Sequence, residues 1–581
     1  MTLDAWFTDH PPSERWPHYT RANAGEVLPT PASPLGQTFG FDKGILVGFQ
    51  SGSVQTGFYE LSEYRDDPPE MCGFFGGYFY INLANVRMQA VRNPAITVDQ
   101  LDMAFFGDHP DVPAYSPHPD DEKPHLQPIA DAHMNFVLTS TEWPQLMEDK
   151  RLVSELRSNR PDLTSLSDQA LVDRAMAILP VLVELGGRHL IASSSSGIAP
   201  GMLSAVAAAI EDPSIPMRLL AGLGDVDSAA PSYAIWDMSR KIRASAALTE
   251  AFDAGVDGLV GRLAASGSGD GAEFLSEFVA FLAEFGSRGP NEWELSAQTW
   301  ETDPTIALAA IERVRFQTDG QGPRERAGIL ATERESLVGK VRQKLADLGD
   351  DTLSGMFEGA LVGGNMMVFR ERGKTNVIKA VHEARVTFRE LGQRHGNTGM
   401  LADVSHIFML TADELQAFVD VPADWAQTLA DRAADWDELW QLEPPFFIKD
   451  GNVPPISTWA RKGEATAEMV TVGEVIAGVA GSPGVVEGTA RIVNDPTDPG
   501  DLGPGDIMVA PLTDPAWTPL FMAADGVVVN VGGQISHAII VSRELGLPCV
   551  VSATDATVRI PDGATIRVDG SAGEVTIIAL L

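Results

Sequence analysis

The sequence predicts a multidomain α plus α/β protein, a large and mainly helical region followed by a compact C-terminal β/α domain. Three observations lead there. From about Ser165 to Asp435 apolar residues recur with a helical period. After residue 471 the pattern changes to short β-rich runs punctuated by Gly, Pro and Asp. Between the two, DGNVPPISTWARKGEATAEM over about 450–470 loses apolar periodicity and carries a Pro pair and small polar residues, as a linker would.

In chain order, the opening hundred residues are rich in Pro, Gly and aromatics, and GILVGF and GYFYINLANV are candidate strands in an irregular lead-in. The segments SDQALVDRAMAILPVLVELG, AIWDMSRKIRASAALTEAFDAGVDGLVGRLAA and FLSEFVAFLAEFG, and the basic stretch from Arg324 to Asp347, predict helices. GTARIVND, GDIMVAP, DGVVVNV, PCVVSA, ATIRVDG and EVTIIAL predict strands, with SHAIIVSREL as a helix between the third and fourth. The expected domains are therefore 1–465 and 472–581, joined by a hinge at 450–471.

Charge and composition exclude several classes. The net charge of -38 leaves too few Lys and Arg to neutralise a phosphate backbone, so no nucleic-acid partner is expected. Any anionic substrate must meet a local basic pocket. Two cysteines, Cys72 and Cys549, cannot build a disulfide framework or a Cys-rich metal site, and a reducing compartment follows. The start, MTLDAWFTDHPPSERW, has no signal-peptide pattern, and no uninterrupted apolar run approaches the roughly 20 residues of a membrane span. A cytoplasmic protein without a membrane is expected.

One constellation carries chemistry. The strand DGVVVN runs into Gly532, Gly533, Gln534, Ile535, Ser536 and His537, then into an apolar helix with Gly546 as its stop. Ser536 suits an N-cap, which places His537 in the first helical turn. A phosphoryl group on that imidazole would face unpaired backbone N–H groups and the positive end of the helix dipole. Gly532 and Gly533 would let backbone approach closely.

In GVAGSPGVVEGTARIV, in APLTDPAWTPLF and above all in GGQISHAIIVSRELGLPCVV, residues 472–581 closely resemble the phosphohistidine swivelling domain of the phosphoenolpyruvate-utilising enzymes. The resemblance makes His537 the histidine that takes a phosphoryl group at one site and delivers it at another. TRANAGEVLPTPASPL, FGSRGPNEWEL and FRERGKTNVIKAVHEARVTFRELGQRHG resemble the acceptor domain of the rifampicin phosphotransferases and the histidine subunit of phenylphosphate synthase and its cresol-phosphorylating relatives. The resemblance implies that 1–465 is an acceptor-binding domain. No ATP-grasp region and no phosphoenolpyruvate-binding barrel is recognised, so ATP and Mg²⁺ are expected on a separate ATP-grasp subunit.

Other candidates lie in the helical region. Arg370 and Lys374 are four apart on one helix face, as a clamp for a transferring phosphoryl group or as a solvated basic face. RERGK matches a phosphate-transferring pattern of the rifampicin enzymes, which implies the clamp. Arg288 and Glu292 read as an acceptor-orienting pair or a structural salt bridge; relatives often carry a His where this chain has Ser287. His382 and His189 are either bases for an acceptor hydroxyl or core histidines. Phosphoryl transfer depends mostly on positioning and charge neutralisation, so a base is optional. GLGD at 222–225 and SSSSG at 193–197 are poor nucleotide signatures. No metal site is expected. The expected activity is an ATP-dependent, dikinase-type phosphotransferase that passes phosphate from His537 to a small hydroxylated, phenolic acceptor; a phosphocarrier that hands phosphate to another protein is the alternative.

Overall fold

The computed structural model describes residues 4–580 except 66, 94–96, 107–110, 225, 320–321, 464–467, 497, 514–516 and 534–535. The chain is α plus α/β, and its contacts divide it into two compact units. One comprises Met1–Ser196, Trp293–Ala297 and Phe369–Ala465; the other comprises Gly197–Glu292, Gln298–Val368 and Thr466–Leu581. This division differs from the linear one into 1–465 and 472–581.

The first unit is helical around a small antiparallel sheet. Strands β1 (Tyr19–Thr20), β2 (Cys72–Phe75), β3 (Tyr78–Asn82) and β5 (Phe447–Ile448) are ordered β2-β3-β1-β5, and β4 (Leu442–Glu443) pairs with β6 (Ala460–Arg461). The expected strand GILVGF is instead helical, at the junction of a π-helical stretch Gly36–Ile45 and the α-helix Leu46–Gln55. Its glycines explain the difference. A Cβ on Gly48 would lie 2.2 Å from the Val183 carbonyl oxygen, and one on Gly52 2.5 Å from that of Gly187. Only a glycine face lets this helix lie against the backbone of helix Leu179–Ser195.

The expected linker is also only partly one. Ile456 and Trp459 are buried, Ile456 N–H donates to the Asp4 carbonyl at 3.1 Å, and Lys462 N–H donates to that of Gln441 at 2.8 Å. Residues 450–463 are thus tied into the first unit, because two apolar side chains three apart outweigh the Pro and Gly around them. On the far side Val470 N–H donates to the Arg559 carbonyl at 3.2 Å within the second unit. Residues 464–467 of the expected hinge lie outside the described residues.

The second unit holds an eight-stranded sheet of β7 (Val475–Ala477), β8 (Val479–Ser482), β9 (Val485–Ile492), β10 (Asp506–Ala510), β11 (Gly526–Val529), β12 (Cys549–Val551), β13 (Thr565–Asp569) and β14 (Glu574–Ala579). Its order is β7-β14-β13-β9-β10-β11-β12-β8, with β9 to β12 parallel. The continuous apolar runs of β10, β11 and β12 fit parallel strands covered on both faces, and all three are fully buried. All six expected strands are present.

Helices Ala230–Ala244, Gly269–Phe285 and Pro304–Val314 complete this unit's core. Ile235, Ile311 and Val314 share one apolar cluster with Trp517, Leu520, Phe521, Val527 and Val529. That shared core places 472–581 in one compact unit with helices drawn from 197–368. One stretch, Asp168–Ala209, contains a window apolar enough by length and composition to cross a membrane, and half of that window is buried inside the protein.

Candidate functional site

His537 opens the helix His537–Leu545 that follows β11, and Gly546 ends it in the left-handed conformation with φ 65°. The stop is a paired one: Leu547 N–H donates to the Ser542 carbonyl at 2.9 Å and Gly546 N–H to that of Arg543 at 3.3 Å. At the other end Ser536 has the extended backbone of an N-cap, φ -67° and ψ 155°, but its side chain makes no capping bond. The expected hydroxyl cap is therefore not formed. Ser536 Oγ is buried without a partner among the described residues, and a Cβ on Gly532 would sit 3.1 Å from it. Gly533 accepts at its carbonyl from Ser536 N–H at 2.9 Å, and Gln534 and Ile535 lie outside the described residues.

Two threonines bracket the imidazole. Thr513 Oγ1 lies 3.3 Å from His537 Nδ1 and Thr518 Oγ1 lies 3.5 Å from Nε2, while Phe521 packs edge-on with its ring centroid 5.9 Å away. The ring is buried, 7% exposed, at the N-terminal end of a nine-residue helix. Two hydroxyls beside the ring and its place at a helix N-terminus suit a group that gains negative charge. Thr513 and Thr518 were not singled out in the sequence, although both stand in APLTDPAWTPLF.

Arg370, Lys374 and His382 stand on the 33-residue helix Asn365–Asn397, whose residues from Phe369 on belong to the first unit. Arg370 and Lys374 are half-buried there, not on an open basic face. Their cationic heads and full burial push His189 down to about 3, with burial the larger cause, so that imidazole is neutral at physiological pH. The two helices meet closely at this point, since a Cβ on Gly373 would lie 3.3 Å from His189 Cα. The His189 ring packs between Phe49, 6.2 Å away, and Trp293, 5.6 Å away.

His382 is completely buried two turns further on, and Arg385 Nη1 donates to its Nδ1 at 3.3 Å. Arg385 Nη2 also donates to the Glu294 carbonyl at 2.8 Å. The Glu294 carboxylate, which burial pushes up, accepts from the Ser33 hydroxyl. Sequence reasoning missed this buried carboxylate, although Glu294 stands two residues after Glu292 in the quoted FGSRGPNEWEL.

In the second unit Arg288 and Glu292 form a buried ion pair, with Nη1 3.0 Å and 3.2 Å from the two carboxylate oxygens. Both side chains are at most 5% exposed. The candidate residues therefore fall into the two units: His537, Gly532, Gly533, Ser536, Arg288 and Glu292 in one, Arg370, Lys374, His382 and His189 in the other. Among the described residues no group of three or more His, Cys, Asp or Glu is placed to hold a metal ion.

Residues 502–573, which include His537 and both threonines, match the family model of the PEP-utilising enzyme mobile domain. The chain resembles the phosphoenolpyruvate-utilising enzymes. Residues 189–362 match the model of the rifampicin phosphotransferase fourth domain and include Arg288 and Glu292; Arg370, Lys374 and His382 lie outside both matches. The rifampicin phosphotransferase of Streptomyces sviceus is 30% identical over 317 residues, 53% of this chain and 35% of that protein. An uncharacterised phosphotransferase of Bacillus subtilis, YvkC, is 27% identical over 321 residues, 53% of this chain and 37% of that protein. The prodigiosin synthesizing transferase PigC of Serratia marcescens is 31% identical over 317 residues, 53% of this chain and 34% of that protein. The chain spans about a third of the length of these curated relatives.

Proposed function

We propose that this chain is a phosphotransferase component that carries a phosphoryl group on His537 and delivers it to a small hydroxylated acceptor. The observation that carries the reading is the seat of His537, a buried imidazole at a helix N-terminus between two threonine hydroxyls, inside the segment matched by the mobile-domain model. In the delivery step the acceptor oxygen attacks phosphorus as the P–N bond breaks. The electron pair returns to the imidazole, which takes up the proton that the hydroxyl loses. Little base assistance is needed, because such transfers depend on positioning and on neutralising the charge of the moving group.

In this reading Arg370 and Lys374 neutralise that charge, Arg370 as a planar fork and Lys374 as a point charge. Their half-buried setting supports the role, since a cation in a poorly solvated site acts more strongly on a phosphoryl group than one on an open surface. Residues 472–581 swing about the part of the 450–471 connection that follows the anchored stretch 450–463, to bring His537 from donor to acceptor. The donor is ATP with Mg²⁺, held by a separate ATP-grasp subunit. A single-ring phenol or cresol is the preferred acceptor.

The test is label transfer from β-labelled and γ-labelled ATP in the presence of an ATP-grasp partner. Acid-labile, base-stable label is expected on the His537 peptide and absent from His537→Ala. Label that persists in the variant refutes the assignment.

A further inference from the structure

The basic stretch from Arg324 to Asp347 forms the helix Pro323–Leu348 of the second unit, and one long face of it is exposed. An open groove of about 540 Å³ runs along that face, bordered on one side by Arg218 of the neighbouring helix Ile215–Leu219. Short side chains one turn apart, Gly328, Thr332 and Ser336, line its length, and Ile329 is 54% exposed among them.

The charges in this groove differ from those just outside it. On the same helix Arg324 pairs with Asp237 and Arg342 with Glu358, each at 2.7 Å. Inside the groove Glu325, Glu333, Lys340 and Arg218 form no ion pair among the described residues. Two charges of each sign are thus left to solvent, and they are ordered along the axis. Glu325 stands at one end and Lys340 at the other, about 22 Å apart at 1.5 Å of rise per residue. Glu333 lies at the middle. There Arg334 Nε donates to the Leu219 carbonyl at 2.8 Å, which holds Arg218 beside the midpoint.

We propose that this face binds a second copy of the chain, its helix turned end for end. A two-fold axis between Thr332 and Glu333 sets Glu325 against the partner's Lys340, Ile329 against the partner's Ser336 and Glu333 beside the partner's Arg218. Each contact occurs twice, because the pattern is its own complement. Charge favours this helix as the meeting place: it carries six Lys and Arg against four Asp and Glu, in a chain of net charge -38 whose copies otherwise repel. The contact is small. One helix face of this length buries less than the roughly 1,200 Å² of a stable complex, so the dimer is weak, with a dissociation constant on the order of 100 µM. It forms on an element tied to the helix that His537 opens, since Arg326 Nη1 donates to the Leu545 carbonyl at 3.2 Å.

The experiment is analytical ultracentrifugation of the purified chain from about 5 to 500 µM in about 0.15 M salt, where a screening length of about 8 Å suppresses long-range repulsion but spares pairs in contact. A reversible monomer–dimer equilibrium is expected. Glu325→Lys puts two like-charged pairs into the dimer, as does Lys340→Glu, so each variant alone is expected to associate about tenfold more weakly. Mixed one to one, the two variants restore opposite charges at both ends and are expected to regain the parent affinity within about threefold. Both positions are exposed, so neither change disturbs the fold, which circular dichroism checks. A parent chain that stays monomeric, single variants that dimerise as the parent does, or a mixture no tighter than the single variants overturns the inference.

Discussion

Glu544, on the last turn of the helix that His537 opens, offers a direct measure of how that helix is held. The carboxylate accepts hydrogen bonds from the backbone of Gly222 and Leu223, and burial pushes it up from an ordinary 4.5 to about 7 despite those bonds and the nearby Arg543 and Arg334. Tyr233 also faces it. A raised carboxyl binds its proton more tightly in the folded than in the unfolded state. Its contribution is therefore complete below pH 4.5 and is lost as pH rises through about 7.

Between pH 5.5 and 8.0 the expected loss is about 2 kcal/mol, or roughly 30-fold in local opening. Glu544→Gln cannot ionise, yet keeps an oxygen for the Gly222 and Leu223 N–H groups. Hydrogen-exchange protection of peptides from His537–Leu545, divided by the intrinsic rate at each pH, is expected to fall about 30-fold in the parent chain and to stay flat in the variant. A flat parent profile, or the same slope in both proteins, refutes the reasoning.

Arg370→Ala and Lys374→Ala are each expected to accept label on His537 normally but to deliver it to the acceptor about 100-fold to 1,000-fold more slowly, measured by single-turnover quench; unchanged delivery removes them from the transfer step. Gly48→Ala is expected to destabilise the first unit by about 1–3 kcal/mol in urea denaturation, because its Cβ would meet the Val183 carbonyl at 2.2 Å, and a neutral result would mean the two helices are not so close.

The sequence made the regular parts legible and left the long-range parts hidden. The strands of the β/α domain announced themselves because β10, β11 and β12 are short, continuously apolar and bounded by Gly, Pro or Asp. The helices between Asp168 and Leu348 were visible from a period that their buried faces require. GILVGF was misread because Ile, Leu and Val in a row look like a strand, while the signal that decides it, Gly44, Gly48 and Gly52 at one-turn spacing, concerns contacts with Leu182, Val183 and Gly187 on a helix far along the chain. Ile456 and Trp459 sit in a Pro-rich stretch, and only their tertiary contacts show that it is anchored. His537 stood out mainly through the resemblance of GGQISHAIIVSRELGLPCVV to the swivelling domain, with the glycine turn and helix start explaining its placement; Thr513, Thr518 and Glu294 did not stand out, since polar residues gain meaning only from what folds against them.

The helical partners of the β/α domain set a condition on any swing of His537. Residues 472–581 share an apolar core with Ile235, Ile311 and Val314, and Arg313 Nη1 donates to the Gly500 carbonyl at 3.0 Å. A domain that visits two sites must break these contacts in each cycle, and such motions often limit turnover. Arg313→Cys with Asp501→Cys, joined by a short disulfide-containing bis-maleimide, would hold the contact closed. The native thiols should not compete: Cys72 and Cys549 are fully buried, and burial pushes the Cys549 thiol up to about 12. The bridged protein is expected to lose multiple turnover with the ATP-grasp partner, and reductant is expected to restore it. Full turnover by protein shown by mass spectrometry to be bridged would mean that His537 reaches both sites without leaving these helices.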